Sequence, residues 1–478
     1  LFKAPCQHTC PVGLNVPGYI ALIKEGRHEE AFKMIMQKMP FPLSVSRVCP
    51  ATCQGKCRRA QVDEALSIRH LKRFAADYAY EHNLEYKPQV KARKAEKVAI
   101  IGAGPAGLSA AWDLAIEGYQ STIFEALPVA GGMLAVGVPE HRLPKKLLNR
   151  EIDNVRNLGV DIRLNTRIDN IEALFDQGYR AVLIAVGAHK SNRMKIPGED
   201  LKGVMDSVEF LRAANLGEEM KIGRKIAVVG GGNSALDAAR VAIRMGAESV
   251  RILYRREKND MPAEAEELVA AEQEGIQFHY LTAPARVLGK SGQITGLECI
   301  RMELADFDNS GRRKPQPLSD SAYRLEVDML IEAIGHEPDT LELCRDGVQR
   351  TKDGRIIADR RTLMANEKGV FVSGDVFTGP LTVIEAIASG QRAASSIGRF
   401  LRGEALSPLF SRNGYEPVNY SDKPPAEEET RERRRVAITE LSPEERRTSF
   451  KEAVLGYTPE EAVSEASRCL RCDLDSNE

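Results

Sequence analysis

The 478-residue sequence predicts an α/β protein with two parallel sheets, a helical N-terminal domain and a charged C-terminal tail. The main observation is a buried strand, a glycine-rich turn, a helix and a second strand at residues 98–126, repeated at 225–256. Such alternation is typical of parallel sheets with crossover helices. The first 90 residues instead show apolar residues at helical spacing, and the segment after residue 403 is rich in charge.

The composition excludes several classes of protein. Hydrophobic residues make up 43% and charged residues 28%, as in ordinary globular chains. The net charge of −1 gives no electrostatic argument for binding nucleic acid or an anionic membrane. No run of about 18 apolar residues is present, so no membrane span is expected. No signal peptide is visible, and we expect a cytoplasmic protein.

The N-terminal domain, predicted at 1–90, contains most of the cysteines. Five of the nine lie within the first 57 residues and two lie near the end of the tail, whereas Cys299 and Cys344 are isolated and expected to be buried. The clustered cysteines are Cys6, Cys10, Cys49, Cys53, Cys57, Cys469 and Cys472. In a reducing compartment such thiols more often bind metal than form disulfides. Zinc is the main alternative to an iron–sulfur cluster, and a redox dithiol is a third reading of Cys469 and Cys472.

The first glycine-rich turn is typical of a dinucleotide site. Gly102, Gly104 and Gly107, with Pro105 and Ala106 between them, form G-x-G-x-x-G directly after a strand. The glycines allow the tight turn, the approach of pyrophosphate and close packing of helix on strand. Glu125 ends the next strand, where a carboxylate can bind ribose hydroxyls.

The second turn predicts a site for NADP(H). It has the pattern G-x-G-x-x-A, and its candidate cofactor-binding residues are Gly230, Gly231, Gly232, Asn233 and Ser234. Arg255 and Arg256 end the following strand, where an acid would favour NAD and arginine accommodates a 2′-phosphate. A solvated strand end is the alternative reading of these two arginines.

Two dinucleotide sites in one chain suggest a flavin and a nicotinamide that exchange hydride. Gly374 and Asp375 end a strand and precede a helix that is expected to start near Leu381, and Thr382 is a further candidate for cofactor binding. A helix N-terminus stabilises negative charge on a reduced flavin, and Asp375 can bind its polyol chain. We therefore assign FAD to the first unit and NADPH to the second. Close stacking suffices for hydride transfer, so we predict no acid–base catalytic residue.

Several segments together resemble the small-subunit (beta-subunit) family of glutamate synthase. They are GAGPAGLSAAWDLA, FEALPVAGGMLAVGVPEHRLP, IAVGAHKS, IPGED, VVGGGNSALDAARVAIRMGAESVRILYRR, RMELADFDNSGRRKPQP and GDVFTGPLTVIEAIASG. This family includes the NADPH-binding subunit of electron-bifurcating transhydrogenases, to which the chain is expected to be close. The resemblance spans about residues 4 to 400.

The resemblance implies a flavoprotein like the disulfide reductases, with two Rossmann-like domains. Its FAD domain is expected at 98–215 and 335–403, with the NADP(H) domain inserted at 216–334. It also implies two 4Fe–4S clusters in the N-terminal domain. By the same matching, Gly131, Gly132 and Arg142 lie near the flavin, while Gly187 and Gly335 mark the crossings between the nucleotide domains.

The family places a C-x-x-C before C-x-x-x-C-P at its N-terminus, but here the C-x-x-C stands at 469–472. We therefore expect the C-terminal extension, 404–478, to fold back onto the N-terminal domain. One cluster would bind Cys6, Cys57, Cys469 and Cys472, and the other Cys10, Cys49 and Cys53. The family's remaining ligand position is Lys72, a poor ligand, so His70, Glu64 or solvent could complete the second cluster, or that cluster is missing.

The predicted function is electron transfer between NADPH, FAD and 4Fe–4S clusters, with other subunits completing the reaction. The moved C-x-x-C favours an electron-bifurcating transhydrogenase or a hydrogenase or dehydrogenase complex that uses ferredoxin or NADH. The small subunit of NADPH-dependent glutamate synthase is the alternative. A non-catalytic scaffold is a third reading, against which the intact glycine turns argue.

Overall fold

The structure is a computed structural model that describes residues 4–307, 311–344, 347–406 and 427–474. The predicted α/β class is confirmed, with two parallel five-stranded sheets and a helical N-terminal domain. Part of the predicted tail, residues 407–426 and 475–478, lies outside the described residues.

The N-terminal domain is a small helical bundle around a core that includes Leu22, Ile35 and Leu71, all fully buried. Its helices are Pro5–Thr9, Val16–Lys24, His28–Met36, Pro42–Val48 and Ile68–Glu81, with 3₁₀ turns at Gln54–Lys56 and Arg58–Gln61. The buried carboxylate of Glu151 attaches this domain to its neighbour, because it accepts hydrogen bonds from the backbone N–H groups of Leu43 (2.6 Å) and Ser44 (3.0 Å). These N–H groups are the free donors at the start of Pro42–Val48.

The first sheet is entirely parallel. Its strands, in spatial order, are Val370–Val372, Tyr179–Ile184, Lys97–Ile101, Gln120–Phe124 and Asp161–Arg163. The associated helices are Pro105–Ile116, Met133–Val136, Lys145–Arg156, Glu172–Asp176, Asp375–Thr378 and Val383–Leu401. The central strand Lys97–Ile101 is buried beyond its first residue, as expected for a parallel strand covered on both faces.

The second sheet is also parallel, and it is inserted between the parts of the first. Its strands, in spatial order, are Val204–Asp206, Met329–Glu332, Lys225–Val229, Ser249–Leu253 and Gln277–His279, with helices Ser207–Leu216, Asn233–Arg244 and Ala265–Gln273 and a 3₁₀ turn at Lys258–Asp260. Strand Val204–Asp206 therefore belongs to this sheet, although it precedes the predicted start of the NADP(H) domain at residue 216.

An antiparallel sheet extends the inserted domain. Its strands are Thr282–Lys290, Gln293–Phe307, Arg313–Pro317 and Tyr323–Leu325. The two connections between the nucleotide domains pair with each other as Lys190–Ser191 and His336–Glu337.

The described part of the C-terminal extension forms three short helices and one antiparallel pair of short strands. The helices are Glu427–Thr430, Pro443–Thr448 and Pro459–Ala466, and the paired strands are Thr439–Glu440 and Val454–Gly456. Ser442 and Thr458, in the segments LSPEE and YTPEE, each cap a following helix in a capping box. Helix Pro459–Ala466 packs on Val16–Lys24 and Ile68–Glu81, so the extension does fold back onto the N-terminal domain.

Within the described ranges, no helix has the length and apolar character needed to cross a membrane.

Candidate cofactor sites

A cleft of about 700 Å³ lies where the nucleotide domains and the N-terminal domain meet. It brings together most of the predicted residues of the first unit, but only Asn233 and Ser234 of the second. Those that line it are Gly102, Gly104, Pro105, Ala106, Glu125, Gly132, Arg142, Gly187, Asn233, Ser234, Gly374, Asp375 and Thr382. The predicted residues outside its lining are Gly107, Gly131, Gly230, Gly231, Gly232, Arg255, Arg256 and Gly335.

The first glycine turn has the geometry that a dinucleotide requires. Gly102 has φ of 107°, and a Cβ added to Gly107 would lie 2.1 Å from the Gly102 carbonyl oxygen, so helix and strand can approach only with glycine. The carboxylate of Glu125 accepts hydrogen bonds from the N–H groups of Ala103 (2.7 Å) and Leu127 (2.9 Å). Burial raises the pKa of Glu125, and these N–H groups offset part of that effect. The residues therefore fit FAD, with an acid beside the turn.

The far side of the same cleft contains two helix starts. Asp375 opens the short helix Asp375–Thr378, and Thr382 caps the long helix Val383–Leu401, which begins close to its predicted start. Burial raises the pKa of Asp375 to about 6, and its carboxylate accepts a hydrogen bond from the N–H of Leu381 (3.3 Å). The N-terminus of a long helix beside the cleft suits negative charge on a reduced flavin.

The second glycine turn enters the cleft through Asn233 and Ser234. Asn233 Oδ1 accepts a hydrogen bond from the N–H of Glu264 at 3.0 Å, which ties the turn to the start of the next helix. The two arginines at the end of the next strand, both predicted to accommodate a 2′-phosphate, lie in different environments. Arg255 is exposed, whereas Arg256 is buried and donates from Nε to the carbonyl of Arg313 at 2.8 Å. Arg255 is therefore the more accessible of the two side chains for contact with a 2′-phosphate.

Arg142 has a structural contact that the sequence did not indicate. Its Nη1 lies 2.8 Å from the Asp237 carboxylate and its Nε lies 3.0 Å from the Glu267 carboxylate. Arg142 and Asp237 are each only 7% exposed. Because Arg142 belongs to the first domain and both acids to the second, we assign it to an ion pair between domains that borders the cleft, rather than to a direct flavin contact.

Other residues of the cleft were missed by the sequence analysis. His189 and His336 line it, beside the paired connections between the nucleotide domains. Burial, and secondarily Arg212 and His336, lowers the pKa of His189 to about 4, so it is neutral at pH 7. Each histidine follows shortly after a crossing glycine, in AVGAH and AIGH, which is the signal that could have found them.

The thiols fall into two groups, which we call the outer and the inner thiol site. The outer thiol site is a small pocket lined by Cys6, Cys57, Cys469 and Cys472, which joins the two ends of the chain. Tail residue Arg468 is anchored there by the carboxylates of Asp63 (2.8 Å) and Glu465 (2.7 Å). The grouping is the one that the sequence predicted for the first cluster.

The inner thiol site is a second pocket, lined by Cys10, Cys49, Cys53 and Lys72. His70 and Glu64, two of the alternatives for a fourth ligand, line a different cavity between the N-terminal domain, the inserted domain and the extension. His70 packs edge-on against Tyr457 there. Of the candidates named from the sequence, only Lys72 lies at the inner thiol site.

The environment of the thiols bears on the redox-dithiol alternative. Burial raises the pKa of Cys53 to about 12 and that of Cys469 to about 12. A redox dithiol needs a low thiol pKa, so this reading of Cys469 and Cys472 is disfavoured. Across the described ranges, no three or more His, Cys, Asp or Glu side chains converge on a point where one metal ion would sit.

Comparison with protein families agrees with this geometry. The family described as pyridine nucleotide-disulphide oxidoreductase matches residues 96–390. The chain belongs to this family. A second family, described as dihydropyrimidine dehydrogenase domain II with a 4Fe-4S cluster, matches residues 2–84. This oxidoreductase accordingly binds FAD and NADP and contains a 4Fe–4S cluster.

Three relatives align with between 84% and 98% of this chain. NADPH-Fe(3+) oxidoreductase subunit beta of Geobacter sulfurreducens is 40% identical over 98% of this chain and 75% of its own length. NADP(+)-dependent formate dehydrogenase subunit beta of Moorella thermoacetica is 42% identical over 98% of this chain and 70% of its own. The glutamate synthase [NADPH] small chain of Azospirillum brasilense is 33% identical over 84% of this chain and 88% of its own. The resemblance to the glutamate synthase family is thus confirmed.

Among solved structures, FprA from Mycobacterium tuberculosis in complex with NADPH has a TM-score of 0.56 at 21% identity. The match covers 65% of this chain and 85% of that one. At this identity it confirms the fold of the two nucleotide domains.

Proposed function

We propose that this oxidoreductase carries electrons between NADPH and a partner subunit, through FAD, the inner thiol site and then the outer thiol site. In this proposal both thiol sites hold an iron–sulfur cluster. The outer one uses four thiolates, the usual number, and the inner one uses three. Hydride passes between NADPH and FAD inside the cleft, and single electrons pass between FAD and the clusters.

The observation that carries this proposal is the order of the three sites in space. Val48 and Pro50, on either side of Cys49, line the large cleft, so the inner thiol site borders it. Ile384, which also lines the inner thiol site, follows directly on Val383 of the cleft. The inner and outer sites in turn share Val16 and Ile68 as lining residues. The cleft and the two thiol sites therefore form one continuous series.

The outer end of the series is open to a partner. Lys56 and Arg58 line the outer thiol site and are exposed. We therefore propose that the partner subunit docks beside the 3₁₀ turns Gln54–Lys56 and Arg58–Gln61 and the tail cysteines.

The relatives favour a dehydrogenase-type partner. The two relatives that are named beta subunits of an NADPH-Fe(3+) oxidoreductase and of an NADP(+)-dependent formate dehydrogenase align with 98% of this chain. The glutamate synthase small chain aligns with 84% at lower identity and is the second candidate. Ferredoxin or NADH as the final acceptor and electron bifurcation stay predictions. A cytoplasmic location is part of the proposal, because iron–sulfur clusters and cysteines without disulfides suit a reducing compartment.

The test is anaerobic purification from the native source, followed by addition of NADPH. We expect the chain to copurify with a larger redox subunit. NADPH should first bleach the flavin and then produce the EPR signals of two reduced clusters. A chain that purifies alone and whose clusters stay oxidised while NADPH bleaches the flavin would refute the proposal. Copurification with a glutamine-dependent amidotransferase would instead support the second candidate.

A further inference from the structure

The lining of the inner thiol site offers three thiols, one fewer than the four ligands that a 4Fe–4S cluster usually has. The lining is Cys10, Pro11, Leu14, Val16, Tyr19, Met39, Cys49, Ala51, Thr52, Cys53, Ile68, Arg69, Lys72 and Ile384. It contains three thiols and no imidazole or carboxylate. The outer thiol site, in contrast, has four thiols. The two sites therefore differ in the ligands that they offer to a cluster.

Lys72, on helix Ile68–Glu81, stands at the position where the family has its remaining cluster ligand. The residue is only 5% exposed. Among the described residues, no hydrogen bond or ion pair to its ammonium group is present, and none of its neighbours in the site is a carboxylate. A buried ammonium group without a counter-charge is strongly unfavourable, so this position calls for an anion within the site.

Three thiolates outweigh the positive charge of an oxidised iron–sulfur core, so a cluster in this site is anionic. We propose that Lys72 is the counter-charge of a cluster bound by only three protein thiolates, and that one corner of this cluster has no protein ligand. The inference rests on the proposed function, because it requires a cluster at the inner thiol site. Lys72 is a positioning residue here: it tunes the cluster without binding iron.

The charge of Lys72 has a measurable consequence for reduction. An electron added to the cluster makes it more negative, and a nearby buried ammonium stabilises that state. We expect Lys72→Met to lower the ratio of reduced to oxidised inner cluster at least about tenfold at a fixed potential, which corresponds to about 59 mV for a one-electron couple. Lys72→Arg keeps the charge and should leave the ratio near that of the wild type. Lys56→Met, at the exposed rim of the outer site, is the matched control and should leave the inner cluster unchanged.

The missing ligand is tested by Lys72→Cys, which offers a fourth thiol in the same pocket. In the wild-type holoprotein, one-electron oxidation by ferricyanide should release one Fe(II) ion and leave an oxidised three-iron cluster, which is detected by its EPR signal. Lys72→Cys should suppress both changes. Oxidation that releases no iron from the wild type, or a reduction ratio that Lys72→Met leaves unchanged, would overturn the inference.

Cys10→Ser separates this failure from that of the proposed function. If Cys10→Ser leaves the iron content and all cluster signals unchanged, the inner thiol site holds no cluster, and both the inference and the proposed electron route are wrong. If Cys10→Ser removes one cluster signal but the Lys72 variants behave like the wild type, only the role of Lys72 is wrong.

Discussion

Arg142 offers the sharpest test of how the nucleotide domains are held together. Its pair with Asp237 is buried, since both side chains are 7% exposed and lie 2.8 Å apart. Arg142→Met would leave the Asp237 carboxylate without its main counter-charge, while Glu267 would keep its pair with Arg240. Removing one partner of a buried pair costs about 3–5 kcal/mol in free energy of unfolding.

The loss should depend on pH. Burial raises the pKa of Asp237 in the folded protein, and the nearby Arg142 partly opposes that effect. Without Arg142 the folded pKa rises further above the unfolded value of about 3.9. A carboxyl group whose pKa is higher in the folded than in the unfolded protein lowers the free energy of unfolding as the pH rises from the unfolded to the folded pKa. The loss of stability in Arg142→Met should therefore be larger at pH 8 than at pH 5.

The assay is urea unfolding at both pH values, with flavin absorbance per chain measured in parallel. Arg163→Met is the matched control, because Arg163 pairs with Asp161 at 51% exposure on each side and should cost less than about 1 kcal/mol. Adding Asp237→Asn to Arg142→Met should recover part of the loss, since it removes the stranded charge. If Arg142→Met loses FAD while its unfolding free energy stays at the wild-type value, Arg142 binds the flavin directly and our assignment is wrong.

Further predictions concern the nucleotide and thiol sites. Arg255→Ala should raise the KM for NADPH about tenfold or more and leave that for NADH unchanged, because only NADPH has a 2′-phosphate; equal effects in steady-state kinetics would contradict the assignment. Arg256→Ala should instead lower the thermal stability, since it removes the hydrogen bond to the carbonyl of Arg313. His70→Ala and Glu64→Gln should keep the full iron content in a colorimetric assay, as neither residue lines a thiol site, and loss of iron in either would show that it is a ligand.

Local motifs were readable from the sequence because their chemistry restricts the residue types. The close approach of Gly107 to Gly102 allows only glycine, so the dinucleotide turns could be predicted. Thiol ligands require cysteine, so both thiol groups could be predicted as well. The segments LSPEE and YTPEE likewise have the cap, proline and acidic residues typical of a helix start, and each begins a capped helix of the tail.

Features that depend on tertiary packing could not be predicted in this way. The short strand Val204–Asp206 has no marked pattern and joins the second sheet only by pairing with Met329–Glu332. The acidic segment MPAEAEEL, residues 261–268, has the composition of a solvated helix face, yet Glu264 pairs with Arg69 at 2.9 Å and Glu267 pairs with Arg142. A charge on a helix does not reveal its partner until the domains are packed together.

The central claim is that the tail completes the outer cluster, through which electrons leave. The most direct measurement uses Cys469→Ser with Cys472→Ser in the complex with the native partner. We expect the iron content to fall by about four per chain, since a cubane holds four irons. NADPH should still reduce the flavin at the wild-type rate, because the cleft is untouched, while electron transfer to the partner is lost. Unchanged iron content, or undiminished reduction of the partner, would contradict the claim.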